Sequence, residues 1–212
     1  MQISPAKENI LKRIRQALVN PTPVPFPQSE GNSSVYIPPS QENEIEFAEN
    51  FGRISGRFIY CANSVEMVSQ LQQLISAQAW AQVFCRESRL LAILQEPLKG
   101  LLIANDLPEA DVSITGCEAL IARTGSILMS SAQESGRTVS VYAPVHICIA
   151  YTDQLVFDIR DGLEMLSEKY KDKIPSFITL ATGPSRTADI EKTLVVGVHG
   201  PKDVYVFLVE AQ

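Results

Sequence analysis

The chain has 212 residues, 18 of them Lys or Arg and 24 Asp or Glu, giving a formal charge of −6, and 45% of its residues are hydrophobic. That length suits one core with appendages rather than two full domains. The acidic balance argues against nucleic-acid or anionic-membrane partners, which want a basic face, and no window approaches the roughly 18 to 20 unbroken apolar residues of a membrane span.

The opening stretch, MQISPAKENILKRIRQALVN, scatters its charges instead of placing a positive cap before an apolar run. It does not read as a secretory leader, and a cytoplasmic location is the expectation. Ile10, Leu11, Ile14, Ala17 and Leu18 recur at helical spacing, which predicts a short amphipathic arm that packs on the body or on another subunit. From Asn20 to Gln41 the prolines, glycine and serines deny the chain any regular hydrogen-bonded element, so residues 1–41 read as helix plus proline-rich strap and 42–212 as the main domain.

Beyond the strap, EIEFAENFGRI predicts a helix, RFIYCA a strand, SVEMVSQLQQLISAQ a helix, AQVFC a strand and SRLLAILQEPL a helix, followed by the short apolar runs GLLIAN and DVSIT. Continuously apolar strands alternating with helices indicate a mixed, mostly parallel α/β sheet covered on both faces. SILMSS, TVSVYAP, HICIAYT and LVFD then crowd together as predicted strands without helices between them, which suggests an antiparallel patch in or beside that sheet. DGLEMLSEKYK predicts a helix, and FITLAT and VYVFLVE supply the last two strands.

Cys61, Cys85, Cys117 and Cys148 lie far apart with no CxxC pair. The spacing offers neither a zinc knuckle nor an iron–sulfur motif and predicts four reduced core thiols. With two histidines in the chain and no acids clustered near them, a dedicated metal site is not expected.

Three stretches carry candidate chemistry. In TGPSRTADIE (182–191), after a predicted strand, Thr182, Gly183, Ser185, Arg186 and Thr187 offer a turn, hydroxyls and a planar guanidinium to an anion, helped by a helix N-terminus if one begins near Ala188. The competing reading is a capped helix start with Asp189 and Glu191 favouring the dipole. In TGCEALIARTGSILM (115–129), Glu118 opens a predicted helical segment ending at Thr124 and Gly125, where it either complements a helix N-terminus or acts as a base or nucleophile. In GVHGP (197–201), His199 sits between glycines as a proton carrier or a satisfied turn residue, while His146 reads as a core histidine.

TGPSRTADIEKTLVVGVHGP and ITGCEALIARTGSILM, together with the ILKRIRQAL helix and its proline-rich sequel, closely resemble the LUD-domain family, in particular its lactate-utilisation protein C group. The resemblance implies a Rossmann-like sheet similar to the sugar-isomerase and CoA-transferase superfamily. It also implies membership of a three-protein system oxidising L-lactate to pyruvate, in which the iron–sulfur clusters belong to partner subunits and this chain has no intrinsic cofactor. Arg123 departs from the acidic residue expected before the Thr-Gly pair of Thr124 and Gly125.

Three roles follow. The first is a ligand-binding or accessory subunit of that system, with Thr124, Gly125, Ser126, Thr182, Gly183, Ser185, Arg186, Thr187, Asp189 and Glu191 around a small anionic metabolite and Glu118 and His199 handling protons. The second is an independent CoA-transferase-like or sugar-isomerase-like enzyme using Glu118. The third is a non-catalytic partner that docks onto an iron–sulfur subunit through residues 1–41.

Overall fold

The structure, a computed structural model, describes residues 5–19, 38–103, 107–190 and 193–211. The chain divides into two compact units, Met1–Pro38 and Pro39–Gln212. In the first, helix α1 (Pro5–Leu18) carries Glu8 in its first turn and Arg15 in its last, the charge order that complements the helix dipole. The strap expected over residues 20–41 lies outside the described residues up to position 37.

The second unit runs α2 (Asn43–Arg53), β1 (Arg57–Cys61), α3 (Ser64–Ala77), β2 (Val83–Cys85), α4 (Ser88–Leu94), β3 (Leu102–Ile103), β4 (Val112–Thr115), β5 (Ala119–Ile121), β6 (Ser126–Ser130), α5 (Val139–Tyr142), β7 (Val145–Tyr151), β8 (Leu155–Val156), α6 (Ile159–Tyr170), β9 (Ile178–Ala181), β10 (Arg186–Ile190), β11 (Thr193–Val196) and β12 (Asp203–Val209). Among the described residues, six strands form one sheet in the order β1-β12-β7-β4-β2-β3, with every neighbouring pair parallel. A second sheet, β8-β5-β6-β9, is antiparallel except where β5 meets β8. The antiparallel patch therefore lies beside the parallel sheet.

The parallel strands are apolar on both faces because both faces are covered. On one, Ile114, Ile147 and Phe207 pack with Met67 and Leu71 of α3 and with Leu90 and Leu94 of α4. On the other, Cys148, Val206 and Leu208 meet Phe47 and Phe51 of α2 and Leu120 and Ile127 of the small sheet. Helix α6 covers the far side of the small sheet through Leu166.

Three expected elements differ. TVSVYAP forms one helical turn, not a strand: Val139 packs with Phe84, Ala110 and Ala143, Tyr142 donates its backbone N–H to the Thr138 carbonyl, and the turn stops where Pro144 disfavours helical backbone at Ala143. The helical segment expected from Glu118 to Thr124 is strand β5 followed by a short 3-10 turn, Ala122–Thr124. Ala119, Leu120 and Ile121 are wholly buried, and a central strand lets all three bury at once while β6 and β8 take their backbone bonds. No helix begins near Ala188, because Arg186–Ile190 is a strand hydrogen-bonded to β11.

Helix α2 sits on two glycine corners. Gly125 has φ of +60° and Gly183 +77°, a left-handed backbone that side chains resist. A Cβ on Gly125 would lie 2.5 Å from the Phe51 nitrogen, and one on Gly183 would lie 2.7 Å from the Ile54 carbonyl oxygen. Asn50 fastens the same corner by donating to the carbonyls of Ala122 and Arg123 at 3.0 and 3.1 Å.

On the face of β4 and β7 toward the small sheet, Ser113, Thr115 and His146 are buried. The Thr115 hydroxyl donates to the Gly116 carbonyl at 2.8 Å and lies 2.8 Å from His146 Nε2. A hydroxyl has one proton to give, so Nε2 carries the hydrogen in this arrangement. Burial lowers the His146 pKa from 6.5 to about 4.

Two outcomes are expected from these features. Gly125→Ala should lower the unfolding free energy in urea by about 2–4 kcal/mol, because helix α2 has to move off a strained corner. The unfolded chain binds a proton on His146 below 6.5 and the folded chain does not until about 4, so stability present above 6.5 is lost as the pH falls through that window, by roughly 3 kcal/mol. His146→Gln should flatten that part of the stability profile in paired denaturation curves.

Candidate functional site

Strands β2 and β4 are neighbours whose connections leave on opposite faces: β2 leads through α4 to β3, while β4 leads into the small sheet and eventually to β7. Such a divergence opens a crevice at the carboxyl ends of the strands, the usual ligand position in open α/β sheets. Glu87 follows the end of β2, and Gly116, Cys117 and Glu118 follow the end of β4.

Glu118 is only 3% exposed. Its backbone N–H donates to the Leu128 carbonyl at 2.8 Å, anchoring it to β6. Oε1 accepts from the hydroxyls of Ser130, at 2.5 Å, and Tyr170, at 2.7 Å, and Oε2 accepts from the Lys169 ammonium at 2.7 Å. Burial alone raises the carboxyl pKa, but the bonds from Lys169, Ser130 and Tyr170 outweigh it and the net direction is down. Lys169 responds in kind: burial lowers its pKa, while the Glu118 partnership carries it above the ordinary lysine value. The result is an ionised carboxylate whose oxygens are both engaged.

Glu87 has the opposite electrostatics. Its Oε1 accepts from the Gly116 N–H at 3.0 Å. Burial raises its pKa, the bonds from Ser135 and Gly116 offset part of that, and the charges of Glu134 and Glu118 push it further up. A Cβ at Gly116 would stand 2.8 Å from the Glu87 carboxylate, so a side chain there would displace the end of Glu87 from its present bond. Sequence reading passed over Glu87, Lys169 and Tyr170. A signal for Glu87 existed, since it follows a strand end as Glu118 does; Lys169 and Tyr170 gave none, lying in the last turn of an amphipathic helix.

The other predicted residues gather at different ends of the fold. Thr124 Oγ1 lies 2.7 Å from Ser126 Oγ, which lies 2.8 Å from Thr182 Oγ1. This hydroxyl chain, with Gly125 and Gly183, forms the seat of α2. Ser126 and Ser130 are the two ends of β6, about 13 Å apart at strand rise, so Glu118 is held away from that seat. Glu118, which the sequence reading placed with Arg186 and His199 around one ligand, lines neither of the clefts that those two residues line.

Arg186 and His199 lie instead by the amino ends of the parallel strands. A cleft of about 640 Å³ is lined by Arg57, Pro184, Arg186, Lys202 and Asp203 among others, and Arg57 and Asp203 are the first residues of β1 and β12. Arg186 donates to the Ile54 carbonyl at 2.7 Å and to the Ser55 hydroxyl at 2.8 Å. An adjoining cleft of about 470 Å³ includes Tyr142, Val196, His199 and Lys202. The strands bring Ser185 to the same turn: its N–H donates to the Pro201 carbonyl and its carbonyl accepts from Gly197, at 2.9 and 3.0 Å. Thr187 pairs with Val195 within the hairpin; Asp189 lies in β10, and Glu191 lies outside the described residues.

Arg123 pairs with Asp158 at 2.5 Å. Asp158 caps α6, and bonds from the Arg160 backbone and then from Arg123 bring its carboxyl below the usual range despite partial desolvation. The four cysteines are free and buried. Burial pushes the Cys61 and Cys85 thiols up to about 11, and Cys148 is raised by its contact with Cys117 and by burial. Among the described residues, no three His, Cys, Asp or Glu side chains are grouped to hold a metal ion, and no helix is long and apolar enough to cross a membrane.

Lys169→Met should leave the Glu118 carboxylate buried beside two hydroxyls alone. Its pKa should then rise from its present lowered position, measurable as a later carboxyl carbon titration by NMR; an unmoved titration would show that the ammonium does not hold the charge.

Residues 86–209 match the LUD domain model. The chain is 36% identical to "Lactate utilization protein C" of Deinococcus radiodurans over 105 residues, 49% of this chain and 49% of that protein. It is 35% identical to the Bacillus subtilis protein of the same name over 103 residues, 47% and 43% of the two chains, and thus spans about half the length of the curated relatives it matches. A crystal structure of a DUF162 family protein from Deinococcus radiodurans shares the fold, with a TM-score of 0.55 at 20% identity over 79% of this chain and 94% of that one. The family model covers the greater part of the chain, including both glycine corners that seat α2, and this chain belongs to the LUD domain family.

Proposed function

We propose that this chain is an accessory, ligand-binding component of a lactate-utilisation system, one that oxidises L-lactate to pyruvate with the electrons carried by iron–sulfur clusters of partner subunits. Relatives named lactate utilization protein C support the pathway. The observation that carries the chain's own share is the cationic cleft at the amino edge. Arg57, Arg186 and Lys202 line it against one acid, Asp203, which is already paired with Arg57 at 3.3 Å.

In this reading a small 2-hydroxy or 2-oxo acid lays its carboxylate against Arg186 and Lys202. The bonds from Arg186 to Ile54 and Ser55 hold the guanidinium in place before the ligand arrives, which reduces the ordering cost of binding. His199, on the adjoining wall with Lys202, is within the region where a proton carrier for the hydroxyl would act. Glu118 serves at the other edge as an anchor for Lys169, since an ionised carboxylate with both oxygens engaged is a poor nucleophile.

Titration calorimetry on the isolated protein with L-lactate and with pyruvate tests the proposal. Saturable binding should weaken about 10- to 100-fold in Arg186→Ala, the cost of one charge-assisted contact. Absence of heat with either acid, or equal affinity in the variant, would overturn it.

A further inference from the structure

The cationic cleft is larger than a three-carbon acid requires. At about 640 Å³, with an adjoining cleft of about 470 Å³, it lies in the size range of cavities that hold much bulkier organic ligands. The two clefts share a wall, because Val196 and Lys202 line both.

Charge and apolar surface are sorted between them. Arg57 and Arg186 stand in the first cleft with Asp203, and Arg57 already occupies that acid at 3.3 Å. Val141, Tyr142, Val196 and Val198 stand in the second, whose described lining contains no acid. Tyr142 is 60% exposed, and the three valines are 46%, 43% and 47% exposed. Apolar side chains exposed singly are ordinary, but four around one concavity mark a surface that something apolar covers.

The backbone fixes the junction. Arg186 and Val196 face each other across the β10–β11 pair, so their side chains stand on one side of the hairpin with Cβ atoms about 5 Å apart. The Lys202 N–H donates to the Pro144 carbonyl at 2.7 Å, which sets Lys202 beside the end of α5 that carries Tyr142. A cation and an apolar wall are thus neighbours at both Arg186 and Lys202.

Resting on the carboxylate-binding reading above, we infer that the ligand of this site is a 2-hydroxy or 2-oxo acid with an aromatic side chain. Its carboxylate lies against Arg186 and Lys202, and its ring lies against Val196 and the ring of Tyr142. One methylene between the 2-carbon and the ring spans the cross-strand step from the guanidinium to the valine. Contact between the two rings adds to what area burial alone supplies, whereas an acid as short as lactate leaves the apolar wall in water.

Calorimetry of the full chain with L-lactate, pyruvate, L-3-phenyllactate and the uncharged L-3-phenyllactamide tests this. Phenyllactate should bind at least about 10-fold more tightly than lactate, the gain from burying a ring, and the amide at least about 10-fold more weakly than phenyllactate. Tyr142→Ala should weaken phenyllactate about 3- to 10-fold, leave lactate within about twofold and leave the unfolding midpoint unchanged, and Tyr142→Phe should keep the affinity. Arg186→Ala should weaken both acids. Equal affinity for phenyllactate and lactate, equal affinity for the amide, or an unchanged phenyllactate affinity in Tyr142→Ala would overturn this inference and leave the lactate reading standing. Phenyllactate binding that depends on Arg186, with no heat from lactate or pyruvate, would support the aromatic acid and overturn the three-carbon ligand. No saturable heat with any of the acids would overturn both.

Discussion

Everything in the second unit depends on how closely helix α2 can approach the two Thr-Gly corners. Gly125 and Gly183 present bare backbone to Phe51 and Ile54, at distances a single methyl group would forbid. This contact joins the layers. Phe47 and Phe51 of the same helix pack against both the parallel sheet and the small sheet, so displacing α2 would uncouple two hydrophobic surfaces together. The corners that resemble catalytic loops in sequence thus have a packing reason for their glycines, and the hydroxyls of Thr124, Ser126 and Thr182 satisfy one another beside the seat.

With that frame fixed, the polarity of the parallel strands separates the chemistry. All six strands point the same way, so one rim collects carboxyl ends and the other amino ends. The carboxyl rim carries Glu87 and the Glu118 cage; the amino rim carries Arg186, Lys202 and His199. The two carboxylates Glu87 and Glu118 have their pKa values moved in opposite directions because one is desolvated near other acids and the other is held by an ammonium and two hydroxyls. The buried chain from His146 through Thr115 to Gly116 and Glu87 ties this rim to the core of the sheet.

The sequence by itself determined the class of the fold, because continuous apolar runs such as VFC and HICIAY have to be buried on both sides and only a covered, mainly parallel sheet does that. It also determined the reduced cysteines and the family, since both depend on residue identity and spacing. It misjudged the short elements: Ala119–Ile121 and Arg186–Ile190 are strands because of partners far along the chain, and Val139–Tyr142 turns as a helix to fit Phe84 and Ala110. Whether Glu118 is free or caged, whether Arg186 and His199 share its pocket, and that Glu87 belongs beside Gly116 were decided by tertiary structure alone. Each is a matter of which strand end a residue occupies and which way the chain leaves it, and local sequence carries no information about the direction of a neighbour 30 or 50 residues away.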